Sequence, residues 1–454
     1  MSEPLSTDSL RQLDHQHTWH PLFQHRQLVA GTELLVIAEG NGCTLRDSEG
    51  NSYIDAGGGL WNVNVGYGRR EIAEAAFSQL LQLPYYPLSQ INGPAVELAH
   101  RLAELLPGGL TRTFFSNSGS EANETAFKIA RQYGRQRHPG ENRHKIIARY
   151  QGYHGFTLGA LSATGQLGRR IPYEPLAPGF LHVDPPYCYR CPLKLEYPAC
   201  GLACADEFEQ VIQREGPETV AAIVVEPVIG GGGVIVPPDD YLPRVREICE
   251  RYGVLLIADE VITGWGRTGK LMACEHWEVV PDIMVQAKGI TSGYLPLGAT
   301  TVTEEVFDAF DGEPGEGKEF AQVCTYGGHP ACCAAALANI DILVRERLWE
   351  NAAAVGGYLL EQLQKLQAPT LGDVRGLGLM IGLELIEPNG EGRLNTPATA
   401  AIKGRLRGEG VIVGQMSHAV IGPDSVLTLS PPLTLCQSEA DRIVSAFEVA
   451  LSVG

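Results

Sequence analysis

Three observations predict an α/β fold built on a mostly parallel sheet. Between about residues 93 and 330, segments with helical apolar spacing alternate with short apolar runs of strand length, as expected of right-handed strand–helix–strand crossovers. Two of those runs, VLLIADEV and DIMVQAKG, each end in a charged residue, Asp259 in the first and Lys288 in the second. Ligands of open parallel sheets sit just beyond the carboxyl ends of the strands, so a carboxylate and an amine delivered there would face one crevice. Finally, 454 residues with 44% apolar and 19% charged side chains suffice for two or three domains and a large core.

Composition also sets limits. A net charge of −18 argues against nucleic acid or an anionic membrane as the main partner, although a few local donors can still bind a small anion. The N-terminal MSEPLSTDSLRQLDHQHTWHPLF has no apolar core region and carries acids early, so it is not expected to act as a secretory signal. No run approaches the roughly 18 apolar residues that a membrane helix needs. Eleven cysteines spread through a long chain fit a reducing cytoplasm, the expected location.

In chain order, residues 1 to about 60 read as a short helical lead-in followed by small β-structure. LLVIAEGNGCTLRDSEGNSYID alternates apolar and polar residues around turn signals at 40–42 and 49–51. GGGLWNVNVGYG is glycine-rich and reads as a loop, after which REIAEAAFSQLLQL places Ile72, Ala75, Ala76 and Leu80 at helical spacing. PAVELAHRLAELL predicts an amphipathic helix with proline near its start. TRTFFS reads as a short strand, SEANETAFKIARQYG as a helix ending at a glycine, and KIIARY as a strand. TVAAIVVEPV, the helix YLPRVREICERYG, VLLIADEV and DIMVQAKG continue the alternation. Residues 311–320, DGEPGEGKEF, are polar and glycine-rich and read as a mobile surface loop. Beyond Pro330, ACCAAALANIDILVRERL reads as a long alanine-rich helix and the remainder as a smaller α+β domain.

Several of these segments carry residues suited to chemistry. An acid able to pair with a ring nitrogen, here Asp259, and a lysine able to form an imine, Lys288, together suggest pyridoxal phosphate. In SNSGSEANETAFKIA, Ala122, Ala126, Ile129 and Ala130 share one helix face, so the helix begins near Ser120. Ser118, Gly119 and Ser120 then place free N–H groups and two hydroxyls at a positive helix end, either a phosphate site or an ordinary cap. RYQGYHGF puts Tyr153 and His154 at a sheet edge, where an aromatic could stack on a planar ring or simply pack. VVEPV ends another apolar run in Glu226, a second acid at that edge.

Two patterns offer competing readings. GWGRTGK, from Gly264 to Lys270, matches G-x-G-x-x-G and nearly matches a P-loop. Leu271 stands where a P-loop needs a hydroxyl for magnesium, and residue 288 is a lysine where a dinucleotide fold needs an acid, so the segment reads as a tight turn. Cys188, Cys191, Cys200 and Cys204 form C-x2-C-x8-C-x3-C, which fits either a metal knuckle or reduced surface thiols.

The ordered set GLWNVNVGYGRREIAEAA, FFSNSGSEANETAFKIAR, YHG, EPV, LLIADEVITGWGRTGK, AKGITSGYLPLGA and TYGGHP resembles the class III (omega) pyridoxal-phosphate aminotransferases of fold type I. The resemblance runs from about Trp19 to near Glu439. It implies a large cofactor-binding domain over 61–330 with a mostly parallel seven-stranded sheet. It also implies a smaller α+β domain made from residues 1–60 and 331–454. By resemblance, Lys288 forms the internal aldimine and shuttles a proton, and Asp259 holds the pyridinium nitrogen protonated. Ser118, Gly119 and Ser120 cradle the phosphate, Tyr153 and Val261 flank the ring, and Glu226 lies near the phenolic oxygen. Thr325 reaches the phosphate of a neighbouring subunit, which implies a homodimer that shares its sites and could pair into tetramers. Trp61 and Phe23 resemble the aromatic wall of the substrate pocket.

One departure bears on substrate. Relatives that accept amino acids carry a small-domain arginine where this chain reads GVIVGQMSHAVIGPDSVLTLSPPL, with Gly414 near the expected position. No arginine occurs between Arg407 and Arg442. An acceptor carboxylate must then meet Gln415, His418 or an arginine from elsewhere. The expected reaction is transfer from a primary amine or omega-amino acid, β-alanine-like or taurine-like, to pyruvate. The residues near Lys288 leave aminomutase, racemase and decarboxylase outcomes open.

Overall fold

The apolar runs assemble into one seven-stranded sheet. Its order is Leu110–Ser116, Gly298–Thr303, Ile283–Gln286, Leu255–Asp259, Val220–Val225, Lys145–Arg149 and Phe180–Val183. The computed structural model from which this follows describes residues 5–29, 31, 34–420 and 422–452, so the first four residues of the lead-in lie outside it. The five strands from Ile283–Gln286 to Phe180–Val183 pair in parallel, while Gly298–Thr303 runs antiparallel to both its neighbours. Every residue of Val220–Val225 and Leu255–Asp259 is buried, as expected of strands covered on both faces. The expected α/β class, with a mostly parallel seven-stranded sheet, is the one observed.

Helices cover the two faces. Gly119–Arg137 lays Ala122, Ala126, Ile129 and Ala130 against Ile146, Ile257 and Val285 of the sheet. Tyr241–Tyr252 packs Leu242, Val245 and Ile248 with Ile223 and Leu256 on the other side, and ends at Gly253 in the left-handed conformation. Two four-stranded sheets complete the chain. One joins Ile37–Asn41, Thr44–Asp47 and Ser52–Asp55 to Val411–Ile412, so the two ends of the sequence share it. The other combines Leu371–Gly376, Ile381–Leu385, Val426–Leu429 and Gly414–Gln415.

Some elements differ from the sequence reading. The helix expected to end at Gly134 continues to Arg137, because Gly134 serves close packing: a Cβ there would stand 2.6 Å from Arg143 Cβ. GGGLWNVNVGYG begins with a kinked turn over Gly58–Trp61 before its loop. The helix Arg70–Gln82 forms, but only Ile72 is buried; Phe77, Leu80 and Leu81 face outward. Residues 311–320 have no regular structure, yet carbonyls of Lys318 and Glu319 accept from Gln132, and the Phe320 ring packs on Phe114 and Phe310. No helix among the described residues is long and apolar enough to cross a membrane.

Candidate active site

Asp259 is the last residue of its strand, and Lys288 follows the adjacent parallel strand by two residues. Glu226 follows the next strand on the other side, where Val225 pairs with Ala258. Three neighbouring strands therefore present two acids and an amine at one edge. They open on a cavity of about 460 Å3, also lined by Ser118, Gly119, Ser120, Tyr153 and Val261. Phe23, Trp61 and Thr325 do not line it. Trp61 packs partly buried beside the core around Ile262 and Met380, and Phe23 meets His20 edge-on in the lead-in. Thr325 is exposed, its carbonyl accepting from the Tyr85 hydroxyl at 2.7 Å.

The cavity wall opposite the strands is a helix start. Ser118 caps Gly119–Arg137 by accepting from the Glu121 N–H at 3.2 Å, and the Glu121 carboxylate accepts from Asn117 N–H at 2.7 Å. The N–H groups of Gly119 and Ser120 fall in the first turn, where no helical carbonyl reaches them. Glycine at 119 lets the helix end approach the floor, since a Cβ there would stand 2.9 Å from Val261 Cγ1. The Ser120 hydroxyl oxygen accepts from Phe156 N–H at 3.1 Å and ties this wall to the Tyr153–Gly155 turn. Gly155, at φ +139°, is the second glycine the site requires, because a Cβ would fall 2.3 Å from Ser120 Oγ.

Burial and charge set the character of each ionisable group. Asp259 Oδ2 takes the Asn123 amide at 2.8 Å and lies 2.8 Å from His154 Nδ1, while Oδ1 takes Val261 N–H at 3.1 Å. Glu226 accepts from Tyr153 N–H at 2.9 Å and Gly230 N–H at 3.0 Å, and burial raises its pKa. Lys288 sits in the left-handed region at φ 43°, a strain of about 1–2 kcal/mol for a side-chain-bearing residue. Burial lowers its amine to about 8, with Asp259 and Glu226 opposing the shift.

Sequence reading missed Asn123 as a clamp on Asp259, and it missed Arg169. The Arg169 guanidinium, on the short helix Leu167–Arg170, lies 5.1 Å from the Tyr153 ring centre and 5.5 Å from that of Phe156. Asn123 stands inside the SNSGSEANETAFKIA motif, one turn into its helix, but only the fold brings it to Asp259; Arg169 belongs to no motif whose spacing could have marked it. The competing patterns resolve differently. Arg267 of GWGRTGK is buried, donating to Leu379 O at 3.1 Å and Asn64 Oδ1 at 3.2 Å, and the loop is a packed turn away from the cavity lining. The four cysteines line one small pocket as free thiols. Among the described residues no three His, Cys, Asp or Glu are gathered so as to hold a metal ion.

Comparison with known proteins places this geometry in a family. The model of the class-III aminotransferases matches residues 28–451. A taurine–pyruvate aminotransferase of Bilophila wadsworthia is 40% identical over 448 residues, covering 97% of this chain and 96% of that protein. A thermostable (S)-enantioselective omega-transaminase from Thermomicrobium roseum superposes with a TM-score of 0.93 at 42% identity, covering 99% of both chains. An amine transaminase from an uncultivated Pseudomonas species, solved with pyridoxal phosphate bound, gives 0.90 at 40% identity, covering 96% and 98%. With motif order, sheet topology and nearly full-length similarity in agreement, the chain belongs to the class-III aminotransferases.

Proposed function

We propose that this aminotransferase uses pyridoxal phosphate to move an amino group from a primary amine or omega-amino acid, β-alanine-like or taurine-like, to pyruvate. The carrying observation is the placement of Asp259 and Lys288 at adjacent strand ends, facing a capped helix start across one cavity. The residues fit the cofactor. The free N–H groups of Gly119 and Ser120, with the Ser118 and Ser120 hydroxyls, suit a phosphate at a helix end. Tyr153 and Val261 would flank the ring, Asp259 Oδ1 would hold the proton on its nitrogen, and Glu226 would face its phenolic oxygen. Pyridoxal phosphate bound there supplies an electron sink for charge developing at the amine carbon. Lys288 Nζ, at the cavity floor with its amine lowered by burial, would hold the cofactor and move the proton at the reacting carbon. Trp61, whose chain neighbours Leu60 and Asn62 line the cavity, is proposed as an aromatic wall for the donor, whereas Phe23 does not line the cavity and is not assigned to it. Pyruvate as acceptor is supported by the names of the taurine–pyruvate relatives.

Incubation of the holoenzyme with amine alone is expected to aminate one equivalent of cofactor per site, and pyruvate should reverse this. Carbon dioxide release or an isomerised product without amination would overturn the transaminase reading in favour of a decarboxylase or aminomutase.

A homodimer completes the proposal. Phe77, Leu81 and Ile91 are 63%, 73% and 85% exposed, and Val323 beside Thr325 is 84% exposed. Leu88 packs against Gly328, and Tyr85 meets Tyr326 at 5.8 Å, so these segments form one surface. Exposed apolar side chains clustered in this way mark an interaction surface. A second copy covering it would carry Thr325 of the partner subunit toward the phosphate. Phe77→Asp/Leu81→Asp is expected to sediment as a 49.0 kDa monomer and to lose most activity. A wild-type enzyme that is monomeric and fully active would remove this part.

A further inference from the structure

We propose that Arg169 holds the acidic group of the substrates: the carboxylate of the 2-oxo acid acceptor and the carboxylate or sulfonate of an omega-amino acid donor. This rests on the transaminase reading above and specifies its substrates as acids on both sides of the exchange.

The argument starts from a gap. The interval between Arg407 and Arg442 holds no arginine, yet Arg169 reaches that interval from the other side. Its Nε and Nη2 both donate to the Ser417 carbonyl at 3.1 Å. Gly168 beside it packs so closely on His418 that a Cβ would stand 2.8 Å from that residue's carbonyl oxygen. A guanidinium is thereby delivered, through a different element, to the loop where the sequence lacks one.

The surroundings leave that cation short of an anion. Among the described residues Arg169 forms no ion pair, and its Nη1 has no protein acceptor; its hydrogen bonds go to a neutral carbonyl. The carboxylate that acts on it, Asp424, is engaged by His418 N–H at 2.8 Å. Burial lowers the Arg169 pKa, so the charge is held partly out of water. A half-buried cation without a counter-ion is costly unless a ligand supplies one. A carboxylate or sulfonate does so with geometry suited to a planar guanidinium.

Position relative to the chemistry agrees. Arg169 does not itself line the cavity but lies against Tyr153, which does, and its charge acts against protonation of Lys288. Of the other side-chain donors on the loop, Gln415 Nε2 donates to Asp424 O at 3.0 Å, and the Nδ1 edge of His418 lies 2.6 Å from Ser417 Oγ.

The test compares half-reactions of the holoenzyme. Arg169→Gln is expected to lower kcat/KM for pyruvate by roughly 10- to 100-fold more than kcat/KM for a neutral aryl-alkyl amine, the range for one charged hydrogen-bond pair. Arg169→Lys should recover part of the pyruvate loss through KM. Propionate and propanesulfonate titrated into the wild-type holoenzyme should each compete with pyruvate and weaken in Arg169→Gln. Competition by propionate alone would restrict the site to carboxylates. Equal losses for pyruvate and the neutral amine, or acids that bind the variant as well as wild type, would make Arg169 a support for Tyr153 and overturn the proposal. A wild-type enzyme that aminates no cofactor with any amine would instead sink the transaminase reading itself.

Discussion

Lys288→Ala is expected to reduce amino transfer on the order of 10^4-fold or more, because covalent attachment and proton movement are lost together. The purified variant should lack the visible absorbance of a lysine-bound cofactor. The physical basis is the buried position of Lys288 at the cavity floor, where its amine falls to about 8. An ordinary lysine, near 10.5, is about 0.03% neutral at pH 7, whereas one at 8 is about 10% neutral. Since the neutral amine is the nucleophile, cofactor uptake by stripped wild-type enzyme should rise about tenfold per pH unit below 8 and level off above it. A rise continuing unchanged to pH 10 would show that burial does not tune this lysine. Retained absorbance and turnover in Lys288→Ala would end its assignment altogether.

Asp259→Asn should be the next most damaging change, lowering single-turnover rates on the order of 10^2- to 10^3-fold through loss of one preorganised charge. Asparagine keeps the shape of the side chain, and its Oδ1 can still take the 3.1 Å bond from Val261 N–H. Asn123 and His154 then face an amide in place of a carboxylate. Asp259→Ala would in addition leave the buried Asn123 amide and His154 ring without their partner, a structural cost of about 1–3 kcal/mol for each buried group left unsatisfied. A thermal melt separates the two: Asn should melt near wild type and be slow, while Ala should be slow and unstable. An Asn variant with wild-type turnover would remove Asp259 from the chemistry.

Much of the site was legible because its residues lie at the ends of regular elements. Apolar runs such as VLLIAD and DIMVQ can only be buried strands in this context, so Asp259 and Lys288 had to emerge at an edge. Likewise the spacing of Ala122, Ala126 and Ile129 fixed where a helix starts, and with it the free donors at Gly119 and Ser120. Gly134 misled for a local reason, since a glycine can end a helix or let another chain segment approach it, and only packing against Arg143 distinguishes the two.

By itself, then, the sequence determined the sheet-forming runs, the acid and amine at its edge, and the missing arginine between Arg407 and Arg442. Periodicity and turn chemistry are local, and these features are written in local spacing. Tertiary structure alone decided that Asn123 and His154 clamp Asp259, and that GWGRTGK is a buried turn held by Arg267. It also decided that Arg169, nearly 250 residues before Ser417, donates to that residue's carbonyl. Such contacts join segments far apart in the chain, and which of them meet is set by how the sheets and helices pack, which no local pattern encodes.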